Sequence, residues 1–214
     1  MIDDSINHEY IIRYLRDNFE EPTPLLASMR RLADENDIPI AEPETAALLR
    51  FLCGVKKPAR ILEIGTAIAY SSILMAESCN AEIVTLERNE EMYSLAGKFI
   101  GQAGFNDRIN IVFGDALDTI GSVEGDFDIV FIDASKGHYE DFFSKAKLSE
   151  NGIFICDNVL YKGMTATDEL LIKRKTTIVK RLRKFISDIC GNKEYYSALL
   201  PIGDGVLLAY RNGD

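Results

Sequence analysis

Positive charge is scarce in this chain: 24 Lys and Arg stand against 34 Asp and Glu, a formal net charge of -10. That balance excludes a uniformly basic nucleic-acid surface and a general affinity for anionic membranes. Cysteine is sparse as well. Cys53, Cys79, Cys156 and Cys190 lie far apart without a CxxC pair, the first three in apolar stretches. This argues for reduced core thiols of a cytoplasmic protein, against a disulfide framework or a zinc site. The two histidines, His8 and His138, have no ligand spacing. No apolar run approaches the ~18 residues of a membrane span, and the acidic MIDDSINHEY start has no leader pattern, so a soluble, unprocessed protein without membrane contact is expected. Internal repeats, low-complexity tracts and long linkers are also missing. The 214 residues are most simply one domain, able to bury roughly 70% of its unfolded surface.

What the chain does contain is an alternation of patterns. Three helical stretches, about 5–19, 23–36 and 43–54, are punctuated by Pro22, Pro24, Pro39 and Pro43. Strands are then expected near Arg60–Ile64, Glu82–Glu87, Asn110–Phe113, Asp128–Asp133 and Gly152–Asp157, with helices near 70–78, 89–103, 138–147 and 168–190. Such an order calls for right-handed crossovers and a parallel sheet. The last segment differs: Tyr195–Leu200, then PIGDG, then Val206–Arg211 reads as a hairpin. The expected fold class is therefore α/β, a mostly parallel seven-stranded sheet closed by a C-terminal antiparallel hairpin, with helices at the N-terminus.

Chemistry gathers at the C-terminal ends of these strands, where open α/β sheets bind ligands. FDIVFIDASKGHY and GIFICDNVLYKG deliver Asp133, Asp157 and Asn158, a hard, oxygen-only set whose charge suits Mg²⁺. ILEIGTAIAYSSI turns at Glu63 and Gly65 into a helix whose N-terminus carries Ser71 and Ser72 as donors. It is not GxGxxG, since Ala69 stands where another glycine is usual, which weakens a pyrophosphate reading. Glu87, twenty-two residues after Gly65, has the position to accept both hydroxyls of a ribose, or to favour a helix dipole. Asp115 in FGDAL has the position to bond an adenine amino group while Ala116 leaves room for the ring, or simply to cap a helix.

Taken together, ILEIGT with YSS, VTLE, GDA, FIDASKGHY, CDN and the terminal IGDG resemble the S-adenosylmethionine-dependent, divalent-metal O-methyltransferases of the catechol and caffeoyl-CoA type, over nearly the whole chain from Pro39 onward. DASKGHY, DNVLYKG and RKTTIVKRLRKF are most similar to the bacterial members that methylate 5-hydroxyuridine at the wobble position of tRNA. The resemblance implies a class I, Rossmann-like methyltransferase domain over 1–214, with a helical region at 1–55 and the core at 56–214. It implies that Glu87 holds the cofactor ribose, that Asp115 and Ala116 line the adenine, and that Ser71 and the Ile40 backbone approach the methionine part. Glu63, Gly65 and Asp133 complete that cofactor set. Asp133, Asp157 and Asn158 would bind Mg²⁺, and Lys136 corresponds to the general base. A homodimer is implied as well, with the N-terminal helices as a source of the contact.

Both catechol and 5-hydroxyuridine place a hydroxyl beside a second oxygen, so a metal alone does not choose between a small diol and tRNA. The stretch IKRKTTIVKRLRK, with Arg174, Arg181 and Arg183 among its cations and no acid, would draw a phosphate backbone. An amphipathic helix burying Ile178, Leu182, Phe185, Ile186 and Ile189 explains the same stretch. Tyr161 and Met164 could flank a flipped-out base or pack a lid. A non-catalytic module that binds only cofactor or RNA is the alternative of another class, and retention of Asp133, Lys136, Asp157 and Asn158 together speaks against it.

Overall fold

The computed structural model describes residues 6–211. Helices α1 (Glu9–Asp17), α2 (Pro24–Glu35) and α3 (Pro43–Lys56) come first. Thr23 starts α2 by accepting the Leu26 amide, and Pro24 and Pro43 occupy first-turn positions where a missing N–H costs nothing. Then alternate β1 (Arg60–Ile64), α4 (Tyr70–Ser78), β2 (Glu82–Glu87), α5 (Glu90–Ala103), β3 (Ile109–Phe113), a short α6 (Ala116–Thr119), β4 (Phe127–Ile132), α7 (Tyr139–Lys145) and β5 (Leu148–Cys156). Helix α8 (Thr176–Gly191) and the hairpin β6 (Tyr195–Leu200) and β7 (Val206–Arg211) close the chain. The sheet order is β3-β2-β1-β4-β5-β7-β6, parallel through β5 and antiparallel at β7 and β6.

The expected fold class is the observed one, with local differences. The helix expected over 5–19 spans Glu9–Asp17, and residues 1–5 lie outside the described part. The helix expected from 168 begins only at Thr176, after a 3₁₀ turn at Lys173–Lys175. Three cations at a helix N-terminus oppose its dipole, and Arg183 pins the preceding loop by bonding Met164 O, Thr165 O and Asp168. β5 starts four residues before the expected strand, and α6, absent from the expected helix ranges, realises the capping alternative at Asp115. Among the described residues, no helix is long and apolar enough to cross a membrane.

Strand alternation splits the core in two. Ile61, Ile129, Phe131 and Ile155 face α2, α3 and α4, whereas Leu62, Ile64, Val130, Ile132 and Phe154 face α7 and α8. Cys53 and Cys156 are buried, Cys79 is half-buried and Cys190 is exposed, all as free thiols. α1 differs from α2 and α3 in burying none of its residues: Tyr10 and Tyr14 are both 68% exposed.

Candidate active site

The strand tips are held level by backbone bonds that continue past the strands. Asp133 N donates to Ile64 O at 2.9 Å, Asp157 N to Ile132 O at 3.0 Å, and Gly114 N to Glu87 O at 2.9 Å. Gly65, at φ 108, follows β1 where the chain runs close beside the tip of β4: a Cβ there would stand 2.1 Å from the Asp133 carbonyl oxygen. Its missing side chain thus makes room for the neighbouring strand tip, a different reason from the close ligand approach expected.

Over these tips lies a cleft of about 840 Å³. Ile40, Gly65, Ser71, Glu87, Asp115, Ala116, Asp133, Lys136, Asp157 and Asn158 all line it. Asn36–Pro39, Ala67, Tyr70, Met92, His138 and Phe142 join them. Ala67, Tyr70 and His138 lie within the quoted motifs without having been singled out, whereas Asn36–Pro39, Met92 and Phe142 come from loops and helix faces that no motif marked. A wider, more open groove of about 1790 Å³ between α3 and the end of α4 contains none of the candidate residues.

Glu87 is held in place by backbone amides. Its Oε2 accepts the Ala67 amide at 2.8 Å, and its Oε1 accepts those of Arg88 and Asn89 at 2.9 and 2.7 Å. Asn89, not Glu87, caps α5. Asp115 does cap a helix: Oδ1 accepts the Leu117 amide at 2.9 Å, which with Arg88 holds this carboxyl below its ordinary range. Its second oxygen faces Arg88 at 3.4 Å at the cleft wall. Ala69 itself takes the left-handed conformation, φ 67, and its methyl is fully buried, so alanine serves at the turn where glycine is usual.

Glu63 corrects an expectation, for it does not reach the cleft. Strand alternation turns it toward α4, fully buried, where its carboxyl accepts the hydroxyls of Ser71, Ser72 and Thr85. Of these partners, Ser71 lines the cleft. Burial pushes its pKa up to about 7 against the pull of those three hydroxyls. A raised carboxyl contributes stability that is fully present below its ordinary value near 4.5 and is lost as pH rises through about 7. Unfolding of the parent protein should therefore become easier between pH 5 and 8 by up to about 3 kcal/mol from this group. Glu63→Gln should flatten the dependence in denaturant titrations; an unchanged pH profile in that variant would remove Glu63 as the source.

At the other end of the cleft, Asp133 stands close enough to Asp157 for its charge to raise the Asp157 pKa. Burial first, and then the Asp133 charge, push Asp157 up to about 8, and burial raises Asp133 against the pull of Lys136. Asp157 Oδ1 accepts the Asn158 amide at 2.7 Å, and Lys136 Nζ donates to Asn158 Oδ1 at 2.9 Å. The hairpin turn braces this loop: Leu160 N bonds Asp204 O and Val159 N bonds Gly205 O, each at 3.0 Å. A Cβ on Gly205, φ 87, would meet Leu160 at 2.3 Å. Two crowded carboxylates beside an amide oxygen fit a divalent cation, which would relieve their repulsion.

The basic helix is less available than its sequence suggests. Arg183 is spent on the 164–168 loop, and Arg181 Nη1 donates to Gly137 O at 3.0 Å, steadying the turn that carries Lys136. Met164 is buried and cannot be a base platform. Lys173 and Arg174 are exposed, and Lys175 lies 5.7 Å over the Tyr161 ring. Tyr161 is thus joined to the basic turn, outside the lining of the main cleft.

The family model described as O-methyltransferase matches residues 18–212. A catechol O-methyltransferase of Niastella koreensis is 34% identical over 152 residues, 67% of this chain and 69% of that protein. The caffeoyl-CoA O-methyltransferase of Stellaria longipes is 24% identical over 96% of this chain and 92% of its own. Among solved structures, the SAH-bound methyltransferase PaMTH1 of Podospora anserina superposes with a TM-score of 0.85 at 27% identity, covering 95% of this chain and 94% of its own. The O-methyltransferase from Bacillus cereus in complex with SAH gives 0.82 at 25% identity, covering 95% and 97%.

Proposed function

The chain belongs to the O-methyltransferase family and is an S-adenosylmethionine-dependent methyltransferase, and from that premise we propose a divalent-cation-dependent transfer to 5-hydroxyuridine at the wobble position of tRNA, forming 5-methoxyuridine. The observation that carries the metal-dependent reading is the meeting of Asp133, Asp157, Asn158 and Lys136 at one end of a cleft whose other end presents Glu87, Asp115 and Ala116. Glu87 receives the ribose hydroxyls, Asp115 and Ala116 the adenine, and Ser71 with the Ile40 backbone the methionine end. Asp133, Asp157 and Asn158 would hold Mg²⁺, which when bound supplies Lewis acidity and a template for two neighbouring acceptor oxygens. Lys136 takes the proton of the reacting hydroxyl as its oxygen displaces the sulfonium, breaking the C–S bond as the C–O bond forms.

Lys173, Arg174 and Lys175 form a cationic turn suited to phosphates, in an otherwise acidic protein, and Lys175 lies over Tyr161, three residues beyond Asn158, whose ring can stack on a base. A small catechol-like or caffeoyl acceptor is the second reading, favoured by the names of the relatives. Nucleoside mass spectrometry of hydroxyuridine-containing tRNA, incubated with enzyme, Mg²⁺ and labelled cofactor beside a catechol control, decides between them. Labelled 5-methoxyuridine is expected. Changing Lys173, Arg174 and Lys175 together to Gln should weaken tRNA binding and reduce its salt slope by up to about three. Label on catechol alone would transfer the enzyme to the small-molecule branch.

A further inference from the structure

The segment that carries Ile40 along the cleft is tethered by one side chain. After α2 is capped at Asn36, Asp37 turns the chain at φ 53, and Pro39 has no N–H to give. Among the described residues, the Ala41 carbonyl is the one backbone group of 39–41 with a hydrogen bond, and its donor is Arg30 Nη2, on α2, at 3.1 Å. Ile38 and Ile40 pack against the core, which holds their side chains but gives the peptide groups between them no partner.

Arg30 is itself locked in place. Its Nε pairs with the Glu21 carboxylate, its Nη2 also donates to the Tyr70 hydroxyl at 2.6 Å, and its guanidinium lies 4.6 Å over the Tyr70 ring. The Tyr70 hydroxyl in turn donates to Glu21 at 2.8 Å, closing a triangle between α2, the chain before it and the first residue of α4. Both charged side chains are largely buried. A buried ion pair gains little net stability over apolar side chains of the same volume. What this one supplies is direction, because a planar fork held by two partners sends its next N–H to one place. That place is Ala41, the residue after Ile40, and Tyr70 and Ala41 both line the cleft.

We propose that Arg30 is a positioning residue for the cofactor: by fixing the Ala41 peptide it holds the Ile40 backbone in the direction that meets the amino-acid end of S-adenosylmethionine. This rests on the Ile40 reading above and adds to it a residue outside the cleft lining. Without Arg30 the ligand would have to order the 39–41 segment on binding, which costs affinity for that end of the molecule alone.

Calorimetric titration with S-adenosylhomocysteine and with 5′-methylthioadenosine, which keeps the nucleoside and the sulfur and lacks the amino-acid end, tests it. In Arg30→Met, which keeps an unbranched stem and removes the donors, S-adenosylhomocysteine should bind about tenfold more weakly, the cost of ordering about one residue. Affinity for 5′-methylthioadenosine should match the parent. The double variant Glu21→Gln with Arg30→Met leaves no unpaired buried charge and should show the same selective loss, so the test stands even where the single variant does not fold. Parent-like affinity for S-adenosylhomocysteine in either folded variant overturns the proposal. So does an equal loss for both ligands, the mark of a general packing defect. If the parent itself binds the two ligands equally well, the amino-acid end gains nothing from the cleft, and the Ile40 reading fails first and this inference with it.

Discussion

Asp157→Ala will bind S-adenosylhomocysteine about as tightly as the parent enzyme while losing Mg²⁺-dependent turnover by on the order of 10³-fold or more. The size follows from what Asp157 is placed to hold: positioning of an acceptor is worth roughly 7–11 kcal/mol, and each 1.36 kcal/mol is tenfold in rate. The cofactor should be spared because Glu87 and Asp115 occupy other strand tips and Ser71 the first turn of α4, each with hydrogen bonds of its own. The variant should also fold. Asp157 is 1% exposed and pushed up to about 8, so its carboxylate is a burden on the metal-free fold, and a methyl group in its place removes that burden. Single-turnover assays across a Mg²⁺ titration, with calorimetry for the cofactor product, measure both quantities. Turnover within a few fold of the parent would end the metal-centred account, and Asp157→Asn, which keeps the volume, guards against a cavity effect.

The second large effect belongs to the opposite end of the cleft. Glu87→Ala should weaken S-adenosylmethionine binding on the order of 100-fold, because hydrogen bonds to a charged acceptor contribute about 1.5–3 kcal/mol each and a ribose supplies two. Part of the loss will come from the protein. Without the carboxylate, the amides of Ala67, Arg88 and Asn89 lose their acceptor, and the β1–α4 turn, with Ala67 at φ 45, loses a restraint. Glu87→Gln separates the two contributions, since its single amide oxygen can satisfy some of those donors but presents a neutral acceptor. Calorimetric titration with S-adenosylhomocysteine reads the result; parent-like affinity in Glu87→Ala would take Glu87 out of the pocket.

The sequence was legible wherever period and chemistry coincided. Apolar strands ending in Asp133, Asp157 and Glu87 announced both a parallel sheet and its functional edge, and those side chains do share one cleft. It was least legible where a residue's direction depended on packing. Glu63 sits in the same motif as Gly65, yet strand alternation sends it beneath the pocket to Ser71 and Ser72. Arg181 and Arg183 looked like phosphate ligands because their charge is visible in a string of letters, whereas the carbonyls that engage them, on Gly137, Met164 and Thr165, carry no side-chain signal. The 168–175 segment had helical composition and became a loop, since a long-range clamp from α8 outweighs the few tenths of a kcal/mol per residue of local propensity.

By itself, then, the order of residues determined the alternation of strands and helices, the acidic balance of the chain and the oxygen chemistry at its strand tips, because all three are local or additive properties. Only the tertiary structure decided that Gly65 and Gly205 lie against neighbouring backbone and side chain, and that Glu63 is a buried support. Those are contacts between residues remote along the chain, and they exist only once the sheet has set which elements lie side by side.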